Sequence, residues 1–164
     1  PAPSRRHQKI VGELLRQISN YLLDKSCEVY VAPFDVRLPE CDEGVAPLAA
    51  DEEIETVVQP DIVVVCDRDK LDDRGGKGAP DIVIEILSPW TAKKDLRTKY
   101  NLYEKHKVVQ YWIVDPEREE VTIFKLENNK YGEPEEYSKD DKIKVDIFAD
   151  LEIDLRTIFV VDRL

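Results

Sequence analysis

The 164-residue chain has no methionine, only two histidines and only three cysteines. Cys27, Cys41 and Cys66 form no CxxC pair and make an odd count. Neither a disulfide framework nor a cysteine zinc site is indicated, and reduced thiols in a cytoplasm are the expectation. No apolar run approaches the roughly 18 uninterrupted residues of a membrane span, and the start, PAPSRRHQK, lacks the apolar middle of a secretory signal. A cytoplasmic protein with no membrane partner is expected. Pro1 at the start implies that an initiator was removed or the start trimmed, which bears on processing and not on chemistry. Positive charge is also in short supply. Lys plus Arg number 24 against 35 Asp plus Glu, a net charge of -11, which excludes a basic coat that grips nucleic acid wherever the two meet. Any polyanion must be met by a local basic patch. The chain does have 42% hydrophobic residues, enough for one sizeable core, and no repeat or long linker, so residues 1–164 read as one domain.

From His7 to Leu23, the residues Ile10, Val11, Leu14, Leu15, Ile18, Leu22 and Leu23 recur at three- and four-residue steps, which predicts an amphipathic helix. The alternating, β-branched EVYVAPFDVRL that follows predicts one or two strands, and the acidic CDEGVAPLAADEEIE an exposed loop. Two strands come next, TVVQPDIVVVCD and APDIVIEIL, forming a long-looped hairpin. The glycines and charges of the intervening RDKLDDRGGKG are expected neither to pack nor to hold a regular element. Ser88 and Thr91 are candidate caps for a second helix from Lys93 to His106. VVQYWIVDPEREEVTIFKL predicts another hairpin, with Trp112, Ile113 and Val114 dense enough for a central strand. The tail offers a polar segment from Glu127 to Asp141, a weak strand from Lys142 to Phe148 and a short helix after Asp154.

Between Pro60 and Tyr103, acidic residues sit inside strands whose other positions are almost wholly apolar, where a lone carboxylate is costly. Asp81 and Glu85 share a strand face but are separated by roughly 13 Å, too far to hold one ion together. A second strand must supply the partner. If the hairpin closes symmetrically with Asp67 facing Asp81, Asp61 lies diagonal to Glu85, roughly 7 to 8 Å away, a span two carboxylates can close over a divalent cation. Hard oxygen donors without neighbouring His or Cys favour Mg²⁺, with Mn²⁺ as a substitute. Asp95, Lys99 and Tyr103 are spaced four apart on the following helix, so Lys99 can reach over the metal to polarise water or steady charge on a phosphate. Asp81 and Asp67 read as residues that terminate the hairpin loop, with a second metal as the other reading.

Several other features carry less. Gly75, Gly76, Lys77 and Gly78 lack the GxxxxGK[ST] spacing of a phosphate loop, and Ser88 lacks the GxSxG elbow of a serine hydrolase. His7 with Arg5, Arg6 and Lys9 reads either as a solvated turn or as one edge of a phosphate-binding groove. Trp90 either packs under the helix start or stacks on a base, packing being the commoner role.

A Pro-Asp opening one strand, an acid within the next, a following helix and an amphipathic first helix together resemble the PD-(D/E)XK nuclease superfamily. The phrases APFDVRL, VVQPDIVVVCD, GAPDIVIEILSP, DLRTKYNLYEKHKVVQYWIVDP and IDLRTIF resemble, over nearly the whole chain, the Uma-two family of putative restriction endonucleases. The resemblance implies an α+β (α/β), restriction-endonuclease-like core with a central mixed sheet flanked by helices. It implies a Mg²⁺-dependent endonuclease, with Asp61 and Glu85 as metal ligands and DNA as the nucleic-acid partner. Leu87 stands where the superfamily pattern has its lysine, which makes Lys99 the replacement. Asp35, Asp95 and Tyr103 become supporting or substrate-side residues, and Lys93, Lys94 and Arg97 the basic cluster that meets the backbone. The alternative is a nuclease-fold binding or assembly module that no longer cuts. A homodimer, paired through the apolar hairpin from Trp112 to Phe124, is a further expectation.

Overall fold

Ser4 starts the first helix by accepting the His7 amide on its Oγ at 3.1 Å. Helix α1 (Arg5–Leu22) then buries Ile10, Leu14, Ile18 and Leu22 along one stripe, as the periodicity predicts. The computed structural model describes residues 2–40 and 51–160, so most of the expected acidic loop from 41 to 55 lies outside the described residues.

The strands are β1 (Glu28–Val31), β2 (Val36–Leu38), β3 (Thr56–Val58), β4 (Ile62–Val65), β5 (Leu71–Asp72), β6 (Gly75–Lys77) and β7 (Ile82–Ile86). After helix α2 (Lys93–Lys105) come β8 (Gln110–Asp115), β9 (Glu120–Glu127), β10 (Lys130–Tyr131), β11 (Glu135–Ser138), β12 (Lys142–Lys144), β13 (Glu152–Asp154) and helix α3 (Leu155–Ile158). The main sheet runs β1-β4-β7-β8-β9-β10, with β11 also pairing β9. All its pairs are antiparallel except β7 with β8, which are parallel because α2 carries the chain across the sheet between them. This is the mixed sheet flanked by helices of a restriction-endonuclease-like fold.

Side chains alternate between two cores, as the period of a strand requires. Ile62, Val64, Ile82, Ile84 and Ile86 face the core that includes Ile10, Leu14 and Ile18 of α1, while Val63 and Val83 join Tyr103, Val108 and Tyr111 on the other side. Trp112, Val114, Val121 and Ile123 are buried in the first core. The hairpin offered for pairing with a second copy therefore spends its apolar face inside its own chain. No helix among the described residues is long and apolar enough to cross a membrane.

Four expectations are corrected. The segment 68–78 is ordered: it forms a turn at Arg68–Lys70, then β5 and β6, and β6 pairs parallel with β2. Gly75 makes this possible. Its φ of 119° and its contact with the Asp35 carbonyl leave no room for a Cβ, and the next amide, Gly76, donates to that carbonyl at 2.8 Å. Second, the polar stretch after Glu127 holds β10 and β11, because both pair with the long β9. Third, neither Ser88 nor Thr91 caps α2. They hydrogen-bond each other, and Ala92 takes the cap position. Fourth, Cys27 and Cys66 form a disulfide. They are 39 apart in sequence, but the antiparallel register of β1 and β4, with Glu28 opposite Val65, places them one step further along and face to face.

Candidate active site

Pro60 is buried and Asp61 stands immediately before β4, where the strand enters the centre of the sheet. The register pairs Ile62 with Ile84 and Val63 with Val83, so Asp61 comes opposite Glu85. This is two residues from the symmetric register expected, and it makes the pair direct neighbours instead of diagonal ones. The ordered elements inside the connecting segment explain the shift, since they close it asymmetrically. Asp61 Oδ2 accepts the Ile86 amide at 2.8 Å, and its Oδ1 lies 3.2 Å from His7 Nε2.

Glu85 is the most unusual of the acids. It is 6% exposed within β7, flanked by Ile84 and Ile86. The Tyr103 hydroxyl donates to its Oε1 at 2.6 Å, and Lys99 Nζ lies 3.0 Å from its Oε2. Burial pushes the Glu85 carboxyl above the ordinary carboxylate range against the pull of Lys99 and Tyr103, and the nearby charge of Asp61 pushes it further up. Burial, followed by the Glu85 charge, raises the Tyr103 phenol well above its usual value, which keeps it a proton donor. The Asp61 hydrogen bond raises His7 above the normal imidazole range, opposed by burial and helped by the charges of Asp61 and Glu85.

Two adjacent carboxylates, one buried at an energetic cost, are therefore joined by a lysine from α2 and an imidazole from α1. The donor chemistry fits a hard divalent cation: all the acidic donors are oxygen, and an added positive charge would offset the burial of Glu85. Among the described residues no group of three or more His, Cys, Asp or Glu is arranged to hold a metal. A cation here would thus rest on Asp61 and Glu85 and complete its shell with water or substrate oxygen.

The sequence matches the Uma2 family, described as "Putative restriction endonuclease", over residues 1–156. The chain belongs to this family. Among solved structures it is similar to a crystal structure of a putative nuclease belonging to DUF820 from Anabaena variabilis ATCC 29413. The two are 21% identical with a TM-score of 0.70, over 97% of this chain and 83% of that one. That likeness bears on the fold. No curated protein matches.

Within this Uma2 chain the other expected residues fall into three groups. Tyr103 and Lys99 reach Glu85 directly. Lys93, Lys94, Asp95 and Arg97 are exposed on the first turns of α2, and Asp95 accepts the Ala92 amide at 3.4 Å. Asp35 is drawn elsewhere: it accepts Gln59 Nε2 at 2.7 Å and lines a separate cavity of about 500 Å³ with Tyr30, Phe34 and Arg74. Asp81 holds the end of the hairpin by accepting the Cys66 amide at 2.7 Å, and Asp67 caps the turn at Arg68–Lys70. Trp90 is 86% exposed and does not pack under the helix start.

His7 is the residue whose place at the site the spacing left open. A signal for it exists in the sequence. His7 precedes Ile10, Leu14 and Ile18 at the same three- and four-residue steps, so it extends the buried stripe of α1 toward Asp61 at the start of β4.

Proposed function

We propose that this protein is a Mg²⁺-dependent endonuclease that hydrolyses phosphodiester bonds of DNA, with Mn²⁺ as an alternative ion. The observation that carries the reading is the convergence of Asp61 and Glu85 from adjacent antiparallel strands, with Lys99 3.0 Å from Glu85. Membership of the Uma2 family supports it. Asp61 and Glu85 would hold the ion, which when bound supplies a Lewis acid for a phosphate oxygen and lowers the pKa of water. His7 and the Ile86 amide orient the Asp61 carboxylate, and Tyr103 orients that of Glu85. The Lys99 ammonium, 45% exposed, extends from the carboxylate pair toward solvent, where it can orient the attacking water and steady charge on the phosphoryl oxygens. Lys93, Lys94 and Arg97 meet the flanking phosphates.

A second reading is favoured by one feature: Glu85 is already satisfied on both oxygens by Lys99 and Tyr103. A nuclease-fold module that binds without cutting would keep such a closed network. Cleavage of plasmid DNA with Mg²⁺ or Mn²⁺ separates the two. The wild type is expected to cut, Glu85→Gln to lose cleavage by about a hundredfold or more with the fold intact by circular dichroism, and calorimetric Mn²⁺ binding to weaken in parallel. Full activity in Glu85→Gln removes the hydrolytic assignment.

A further inference from the structure

The connection between β7 and α2 holds a large aromatic side chain in water. Ser88, Pro89, Trp90 and Thr91 form a four-residue turn closed by the Thr91 amide on the Ser88 carbonyl at 3.0 Å. The Ser88 amide donates to Thr91 Oγ1 at 3.0 Å, and the two hydroxyl oxygens lie 3.2 Å apart. Pro89 stiffens the second position of the turn. Trp90, at the third, is thereby presented outward at 86% exposure, whereas the chain's other tryptophan, Trp112, is 1% exposed.

The surroundings of the turn restrict what can cover that indole. On one side the chain is pinned to the carboxylate site: Asp61 holds the Ile86 amide, and the Leu87 amide donates to the Val114 carbonyl at 2.9 Å. On the other side Lys93, Lys94 and Arg97 are exposed, with Asp95 the one acid among them. In a chain of net charge -11 this is a locally cationic stretch beside an open aromatic face. Cations spaced along a backbone path and a free π-face together complement a nucleic-acid strand whose bases are accessible. In a duplex the base faces are stacked on one another and only the edges are open to a protein.

We propose that Trp90 is a stacking platform for an unpaired base, with Lys93, Lys94 and Arg97 taking the adjoining phosphates. The substrate of the endonuclease proposed above, on which this inference rests for its reaction, is then DNA with single-stranded character at the scissile region.

The test is a fluorescence titration of the full chain in EDTA and low salt, with an oligodeoxythymidylate and a blunt duplex of equal length. The single strand is expected to quench the exposed indole, the duplex to bind more weakly, and Trp90→Ala to lose about tenfold in single-strand affinity. Trp90→Phe, which leaves only the buried Trp112 emitting, is expected to lose the quench while keeping most of the affinity. Unchanged affinity in Trp90→Ala, or duplex binding equal to single-strand binding, overturns the proposal. So does a blue shift of the emission that grows with protein concentration in the absence of DNA, because it places the indole between two copies of the chain. Binding that holds in EDTA without cleavage on adding Mg²⁺ removes the hydrolytic reading and keeps the stacking site. Cleavage with unaltered affinity in Trp90→Ala does the reverse.

Discussion

A carboxylate buried between two isoleucines survives in a sheet only if something nearby offsets its charge, and around Glu85 three groups do so to different degrees. Tyr103 donates a proton, Lys99 supplies a charge that is half in water, and His7 acts across Asp61. The native carboxyl of Glu85 still lies above its ordinary value, so the native state binds that proton more tightly than the unfolded chain does. His7, also raised, behaves in the same direction. Its bond to Asp61 stabilises the fold fully below the ordinary imidazole value of 6.5, and that contribution is lost as pH rises through the higher native value. Metal-free protein is therefore expected to lose thermal stability as pH rises from about 6.5 through the raised native value of His7. His7→Gln keeps a donor for Asp61 but cannot titrate, and its melting temperature in EDTA should vary less over that interval. An identical pH dependence in the variant would show that the imidazole carries none of it. The two acids were legible in the sequence because charge inside an apolar strand stands out. His7 was not, because one helical turn of Arg, Arg and His reads equally well as solvated, and only the docking of α1 decides which way it faces.

At the scale of elements, periodicity located α1, α2 and the two central hairpins, since each rests on a run of apolar residues long enough to show its period, while α3, a single turn, is marked only by its place after Asp154. What it could not reveal was structure built by backbone contacts. β5 and β6 consist of Leu71, Asp72, Gly75, Gly76 and Lys77, with hardly a side chain suited to a strand. They are held by β2 and by Arg37, which is 4% exposed and donates to the Gly76 carbonyl at 3.2 Å and to Asp72 at 2.6 Å. That unseen subsheet shifts the β4–β7 register by two residues and brings Asp61 opposite Glu85. Gly75→Ala tests the arrangement. A Cβ there must displace the Asp35 carbonyl while adopting a φ that L residues rarely take, so a loss of roughly 3 kcal/mol in urea unfolding is expected. Gly12→Ala serves as the contrast: nothing lies within 4 Å of a Cβ at that exposed helical position, and the variant should gain about 0.5–1 kcal/mol. Similar losses at both positions would mean that the close approach of β6 to Asp35 contributes little to the fold.

Across the whole molecule, the order of the sheet makes its edge strand β1 dependent on β4 alone, while β4 gains a second neighbour in β7. The Cys27–Cys66 bond joins that edge to the interior covalently, just beyond the last backbone pair of the two strands. Counting cysteines argued against it, because an odd number and irregular spacing say nothing of which residues a register will bring face to face. Its effect follows from the length of chain it closes: a separation of 39 residues removes enough freedom from the unfolded state to stabilise the fold by about 4 kcal/mol in the chain-entropy model. The consequence reaches the candidate site, because β1 also receives the strand that begins with Asp61: the Ala32 amide donates to the Asp61 carbonyl at 3.1 Å. Thiol titration of denatured protein should thus find one reactive thiol, that of Cys41, before reduction and three afterwards. Reduction should lower the melting temperature by on the order of 10 °C, and Cys27→Ser should reproduce the reduced value without further response to reductant. Three free thiols in the untreated protein, or a melting temperature indifferent to reductant, would leave β1 held by its backbone pairing to β4 and its packing under α1, with no covalent tie to the strand that carries Asp61.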